Sequence, residues 1–222
     1  MTQVSSYVVA YRQLTDFEHI LLGMIYAAPS SGYDLKRTFA ATPMGVYQPS
    51  SGSLYPALKR LERRNLLRTR LQPHPSRESV RNRHVYETTQ QGRTLHLAWV
   101  RTPVDPATGA ADLGLQLMRF VMMERLLPRT EVLEFLRSLK CALTAFVAEL
   151  ERYTKTTNIE DYHSRLALDH GIAIHRASLA WTKRTIATLT ASPTTPAGPP
   201  PWSHPLRVRT VGPPALPSSG TA

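Results

Sequence analysis

A single cysteine, Cys141, stands among 222 residues, so no second thiol exists to close an intrachain disulfide. That excludes a disulfide-stapled scaffold and fits a reducing cytoplasm. The amphipathic pattern around Cys141 predicts a buried structural thiol. Long apolar runs are also missing. No stretch of 18 apolar residues occurs, which excludes a membrane-spanning helix, and Val8-Val9-Ala10 is too short for the core of a signal peptide. Catalytic signatures are absent: there is no G-x-S-x-G, no phosphate-binding glycine loop and no H-E-x-x-H. No enzyme activity and no cofactor are therefore expected. His163, His170 and His175 share a helical stretch at spacings of seven and five, which makes no i, i+4 ligand pair, and no metal site is expected.

Acidic residues are scarce. Against 27 Lys and Arg stand 16 Asp and Glu, a net charge of +11. Its placement matters more than its size. Residues 1–101 hold 14 basic and 6 acidic side chains, whereas 102–190 hold 11 and 10. The excess is densest from Lys59 to Arg83, as expected of a face that meets a polyanion.

The chain is organised around the stretch from Ser50 to Asn65. Leu54, Leu58 and Leu61 fall at i, i+4 and i+7, one apolar stripe that must be buried. At 100° per residue, Pro56, Lys59, Arg60 and Arg63 then point away from it. With Ser53 as N-cap, Pro56 occupies the third helical position and forfeits no intrahelical bond. Asn65 suits the stop, because Asn tolerates the left-handed conformation that helix ends often need.

Elements before and after give this helix its context. Residues 1–14 read as a loose arm. Thr15-Asp16-Phe17-Glu18 has the form of a capping box and opens a helix to Ala27 that Pro29 ends. Ser31-Gly32-Tyr33-Asp34 is a second such start, for a helix to about Ala41, and residues 42–51 form a loop. After the basic helix come two β-prone runs, Leu66–Leu71 and Arg83–Thr88. They flank a polar, proline-bearing tip carrying Arg77 and Arg81. A fourth helix starts near Thr88 or Thr89 and carries Leu95 and Trp99; Gly92 within it costs some helix propensity. Three helices followed by a basic hairpin make a winged helix-turn-helix over 15–101. In that geometry the third helix enters the major groove, and Arg77, Arg81 and Arg83 of the hairpin reach the backbone or minor groove.

These residues resemble the PadR family of bacterial transcriptional regulators. The match lies in Ile20-Leu21-Leu22-Gly23, Ser31 to Arg37, Gly52 to Glu62 and Tyr86 to Gly92. Thr88 departs from the leucine usual after the wing, and Asn65 stands where glycine is common. The resemblance implies a dimer that binds operator DNA as a repressor, less often as an activator. By analogy Tyr33, Ser53, Tyr55 and Lys59 meet DNA; the helix face independently supports Lys59, Arg60 and Arg63.

Asp105 to Gly114 reads as a linker to a second, helical segment over 112–190. A helix at about Leu115–Leu127 is expected to bury Leu117, Phe120 and Val121. Beyond Pro128, Val132, Leu136, Leu139, Leu143, Phe146 and Leu150 recur every three and a half residues, the spacing of helix-on-helix packing. A last helix, about Ile159–Leu189, has two apolar faces, which a partner subunit would help to cover. Leu168, Ile172, Leu179, Trp181 and Ile186 are the expected dimer contacts. The segment is similar to the longer C-terminal helical domain of one PadR branch, which implies dimerisation through these helices and a roughly palindromic operator. Trp99, Met118, Met122, Met123 and Trp181 are candidate pocket residues for a small aromatic or cationic effector, a role the resemblance implies. Residues 191–222 hold nine of the 18 prolines without apolar periodicity and read as a disordered tail.

The expected fold is thus mainly α with a small β-hairpin: a winged helix-turn-helix followed by an α-helical dimerisation domain. The expected partners are double-stranded DNA and a second copy, with no membrane. A different class of reading remains, a winged-helix interaction module whose basic face binds an acidic protein. It predicts no preference among DNA sequences.

Overall fold

The computed structural model describes residues 14–41, 50–72, 83–124 and 126–191. The expected arm, the 42–49 loop, the hairpin tip and the proline-rich tail from 192 onwards lie outside the described residues. Helices α1 (Asp16–Ala27), α2 (Gly32–Ala41) and α3 (Ser51–Arg63) precede an antiparallel pair, β1 (Leu67–Gln72) and β2 (Arg83–Thr88). Four more helices follow: α4 (Gln90–Arg101), α5 (Leu113–Met123), α6 (Arg129–Thr156) and α7 (Tyr162–Ala191). The fold is mostly helical with one two-stranded hairpin, a winged helix-turn-helix followed by C-terminal helices.

Both expected capping boxes form. In α1 the Thr15 hydroxyl accepts the Glu18 N–H while Glu18 accepts the Thr15 N–H at 2.9 Å. In α2 Ser31 and Asp34 exchange the same two bonds, at 3.1 and 3.2 Å. The hairpin register pairs Leu67 with Thr88 and Gln72 with Arg83. A Ser30–Tyr86 bridge attaches the turn before α2 to the hairpin.

Helix α3 starts three residues earlier than the proline suggests. Ser50, not Ser53, is the N-cap, its hydroxyl accepting the Ser53 N–H at 3.2 Å. Pro56 therefore lies in the second turn, where it leaves the Gly52 carbonyl without an α-helical donor. Burial of Leu54, Ala57, Leu58 and Leu61 outweighs that loss, since each buried leucine contributes about 1.5–3 kcal/mol. The helix ends as expected at Asn65, whose φ is 56°. Asn65 N–H donates to Glu62 O at 2.8 Å and Leu66 N–H to Leu61 O at 3.0 Å, a Schellman closure. That turn points the chain directly into β1.

Gly92 has a steric reason that propensity alone does not reveal. A Cβ built there would lie 2.2 Å from the Leu66 carbonyl oxygen. The same carbonyl accepts the Thr89 N–H at 3.1 Å, where Thr89 caps α4. Helix α4 thus sits against the α3–β1 junction at backbone contact distance. We expect Gly92→Ala to cost about 2 kcal/mol, the middle of the range for overpacking. Urea unfolding measures this, and an unchanged midpoint would mean that α4 shifts freely there. Thr88, the departure from the family pattern, is buried beneath this join.

One apolar core runs from α1–α4 into α5 and α6. Along α6 the expected stripe is inward, with Leu136, Leu139 and Leu143 fully buried. Two expectations fail. Leu117 is 46% and Val121 36% exposed, while Met118, Arg119, Met122 and Met123 are buried instead. The turn of α5 is set by Arg119, which donates to the carbonyls of Trp99 at 3.1 Å and of Thr102, and to Gln116 Oε1 at 3.0 Å. Its guanidinium lies over the Trp99 and Phe135 rings. An arginine that caps the end of α4 belongs inside, and an apolar count reads it as outside. Cys141 is exposed rather than buried, because it falls between the inward positions Leu139 and Ala142 on the outer side of α6.

Candidate nucleic-acid interface

Several of the residues expected to contact DNA are exposed on α2 and α3. With Leu54, Ala57, Leu58 and Leu61 turned into the core, Lys59 and Arg63 stand opposite them, both exposed. Tyr33, at the start of α2, is 66% exposed and Tyr55 44%. The Tyr55 ring lies so close to Gly32 that a Cβ there would come within 2.6 Å of it. Gly32 therefore lets the two tyrosine-bearing helix starts approach. Ser53 is exposed in the first turn of α3, its hydroxyl donating to Ser50 O at 3.0 Å.

The basic residues differ in what already holds them. Arg60 Nε donates to Glu18 Oε1 at 2.7 Å, joining α3 to the start of α1. Burial alone would raise the Glu18 carboxyl, but the Thr15 N–H and the Arg60 guanidinium outweigh it and hold the group below its ordinary range. Arg83 is turned onto the start of α2, where it pairs with Asp34 and donates to Ser31 Oγ at 3.0 Å. Its charge serves the attachment of the wing to α2. Arg68 and Arg70 of β1 both meet Glu87 of β2, at 2.8 and 3.6 Å. Arg77 and Arg81 lie outside the described residues.

Lys36 and Ser51 did not figure among the expected residues. The Lys36 ammonium donates to Ser51 Oγ at 3.2 Å across the α2–α3 gap, adding a cation beside the start of α3. Lys36 one turn after Tyr33 was the available signal, since i and i+3 share a helix face.

Of the expected effector residues only Trp181 lines the groove between α5, α6 and α7. Trp99, Met118 and Met122 are core. Trp99 stacks on His19 with centroids 4.6 Å apart, and the Met122 sulfur packs at Gly23. Trp181 lies elsewhere, edge-on to Phe120 at 5.6 Å. It lines a groove of about 290 Å³ between α5, α6 and α7, with Leu117, Leu139 and Leu143 as apolar lining and Gln116, Ser178 and Thr182 as polar groups. Three separate helices build that groove, so no single stretch of sequence announces it.

The expected dimer residues are partly used within the chain. Ile172 is buried, and Leu179, Trp181 and Ile186 pack half-buried against the protein's own core. Leu168 is half-buried, while Leu166 and Ile174 remain exposed. His175 is tied through its ring nitrogens to the Gly171 and Ala110 carbonyls, at 2.7 and 3.2 Å. Among the described residues no three His, Cys, Asp or Glu side chains gather as a metal site, and no helix is long and apolar enough to cross a membrane.

Comparison with known proteins matches residues 21–96 to the model of the transcriptional regulator PadR-like family. Among solved structures, Bacillus subtilis PadR in complex with operator DNA is 18% identical, with a TM-score of 0.35, covering 78% of this chain and 98% of that one. The PadR-like transcriptional regulator BC1756 from Bacillus cereus is 22% identical, with a TM-score of 0.36, covering 80% and 97%. Bacillus subtilis PadR in complex with p-coumaric acid is 17% identical, with a TM-score of 0.35, covering 79% and 99%. No curated protein sequence matches significantly.

Proposed function

We propose, from the match of residues 21–96 to the model of the PadR-like family of transcriptional regulators, that the protein is a homodimeric repressor that reads a pseudo-palindromic operator with α3. The observation that carries this reading is the outward face of α3. Lys59 and Arg63 stand exposed opposite a fully buried apolar stripe, flanked by the exposed Tyr33 and Tyr55. Such a face supplies phosphate contacts from its cations and base-edge contacts from its first turns. The expected contact set is Tyr33, Ser53, Tyr55, Lys59, Arg60 and Arg63, with Lys36 added and Arg83 given to the attachment of the wing.

The half-covered state of α7 supports the dimer. Leu166 and Ile174 on α7, and Leu117 and Val121 on α5, are apolar and exposed in a single chain. A second copy would remove them from water. The 290 Å³ groove at Trp181 is of a size for one small aromatic molecule and is the place we propose for an effector. The winged segment, residues 15–101, then acts as reader and residues 112–190 as dimeriser.

Fluorescence anisotropy tests the reading with duplex DNA from immediately upstream of the protein's own gene, against a scrambled duplex, across a salt series. Preference for the native duplex, with affinity falling steeply as salt rises, supports the regulator. Equal binding to every duplex of a wider genomic selection would favour the interaction module with an acidic partner.

A further inference from the structure

Two carboxylates in the winged segment do a double duty. Glu18 and Asp34 are the third residues of the capping boxes that start α1 and α2. Each also holds an arginine from a later element: Glu18 takes Arg60 of α3, and Asp34 takes Arg83 of β2. The two ties differ in which nitrogen they use. Asp34 and Ser31 both engage the terminal Nη2 of Arg83, which is largely shielded from solvent. Glu18 engages only Nε of Arg60. The two Nη groups of Arg60 have no partner among the described residues, and its side chain is 45% exposed.

We propose that Glu18 is a positioning residue that presents the Nη pair of Arg60 to a DNA phosphate. This rests on α3 being the reading helix. Its physics is preorganisation. A guanidinium is planar and has five donors in a fixed fork. Bonding Nε to a buried carboxylate removes most of the side chain's rotational freedom and leaves four donors unbonded, three of them on edges that face away from the tie. A free arginine must surrender that freedom when it binds; a tethered one has surrendered it on folding. Glu18 is itself 3% exposed and accepts the Thr15 N–H at 2.9 Å. The position of Arg60 agrees: it lies at the edge of the outward face of α3, next to Lys59, where a groove-bound helix meets a flanking strand of phosphates.

The test is a double-mutant cycle on the full chain with the operator duplex. Glu18→Gln has a single acceptor oxygen and no charge, so it cannot accept from both the Thr15 N–H and the Arg60 Nε–H as Glu18 does, and any bond it keeps to Arg60 is a weaker, neutral one. It is expected to weaken binding about three- to tenfold, the equivalent of re-ordering one long side chain on association. Arg60→Ala is expected to weaken binding further and to lower the slope of log affinity against log salt by about 0.9, one phosphate contact. Glu18→Gln added to Arg60→Ala should change nothing more. Arg60→Lys supplies an arm independent of how Glu18 variants fold. A lysine seated on Glu18 has no second fork to offer, so it should bind like the alanine variant. Wild-type affinity for Glu18→Gln or Arg60→Lys overturns the proposal, as does an undiminished Glu18→Gln effect in the Arg60→Ala background. If the wild-type protein itself prefers no duplex, the reading-helix premise fails, a result visible before any variant is made.

Discussion

Replacing Lys59 and Arg63 together by alanine is expected to weaken operator binding by about 2–4 kcal/mol, roughly 30- to 1000-fold. The two side chains lie one turn apart on the side of α3 opposite Leu54, Leu58 and Leu61. Neither has a partner among the described residues that would offset the loss of its DNA contact, unlike Arg60, Arg68 and Arg83. The fold should not suffer, because both are exposed and surface changes of this kind stay within about 0.5 kcal/mol of stability. If both contact phosphates, the salt slope should fall by about 1.8, and the loss should be similar on every duplex. If one reads a base edge, the loss should be larger on the operator than on scrambled DNA. Anisotropy with both duplexes separates these cases, and sedimentation checks that the assembly is intact. Affinity within twofold of wild type on the operator would remove α3 from the interface.

Acid should destabilise the protein through His96. His96 is fully buried between α1 and α4, its ring against Gly23 and edge-on to Tyr26. Neither ring nitrogen has a hydrogen-bond partner. Burial pushes its pKa down from 6.5 to about 4. Between those two values the unfolded chain binds a proton that the folded chain does not. The stability that His96 contributes is therefore complete above pH 6.5 and is lost as pH falls towards 4. The loss across that window is about 3 kcal/mol, since a proton bound only by the unfolded chain costs about 1.4 kcal/mol for every pH unit crossed. Urea unfolding at pH 7, 5.5 and 4.5 should show it, and His96→Leu should flatten the profile. An unchanged pH dependence in His96→Leu would place the sensitive group elsewhere.

Much of the winged segment was legible because its signals are local. Thr15 with Glu18, and Ser31 with Asp34, satisfy helix-start N–H groups within four residues, so a capping box is visible in the chain itself. Asn65 meets a backbone requirement of its own position, φ of 56°. The 3.5-residue repeat on α6 came out inward for the same reason: periodicity reports which positions share a face. The errors lie where a local rule met a distant neighbour. Pro56 suggested a helix start at Ser53, but the core contacts of Leu54 and the Ser50 cap extended α3 through a lost bond. On α5 the apolar Leu117 and Val121 were expected inside, and Arg119 was there instead. Its value depends on the carbonyls of Trp99 and Thr102, which no spacing within α5 can reveal.

By itself, then, the sequence determined the order of the helices, the hairpin, the basic outer face of α3 and the resemblance over residues 21–96, because each follows from periodicity, capping or a contiguous motif. Only the tertiary structure decided which cations are left for a partner. Glu18, Asp34 and Glu87 lie 42, 49 and up to 19 residues from the arginines they hold. Charge adds up along a sequence, but it is neutralised in space, and that pairing separates Lys59 and Arg63 from the arginines engaged within the fold.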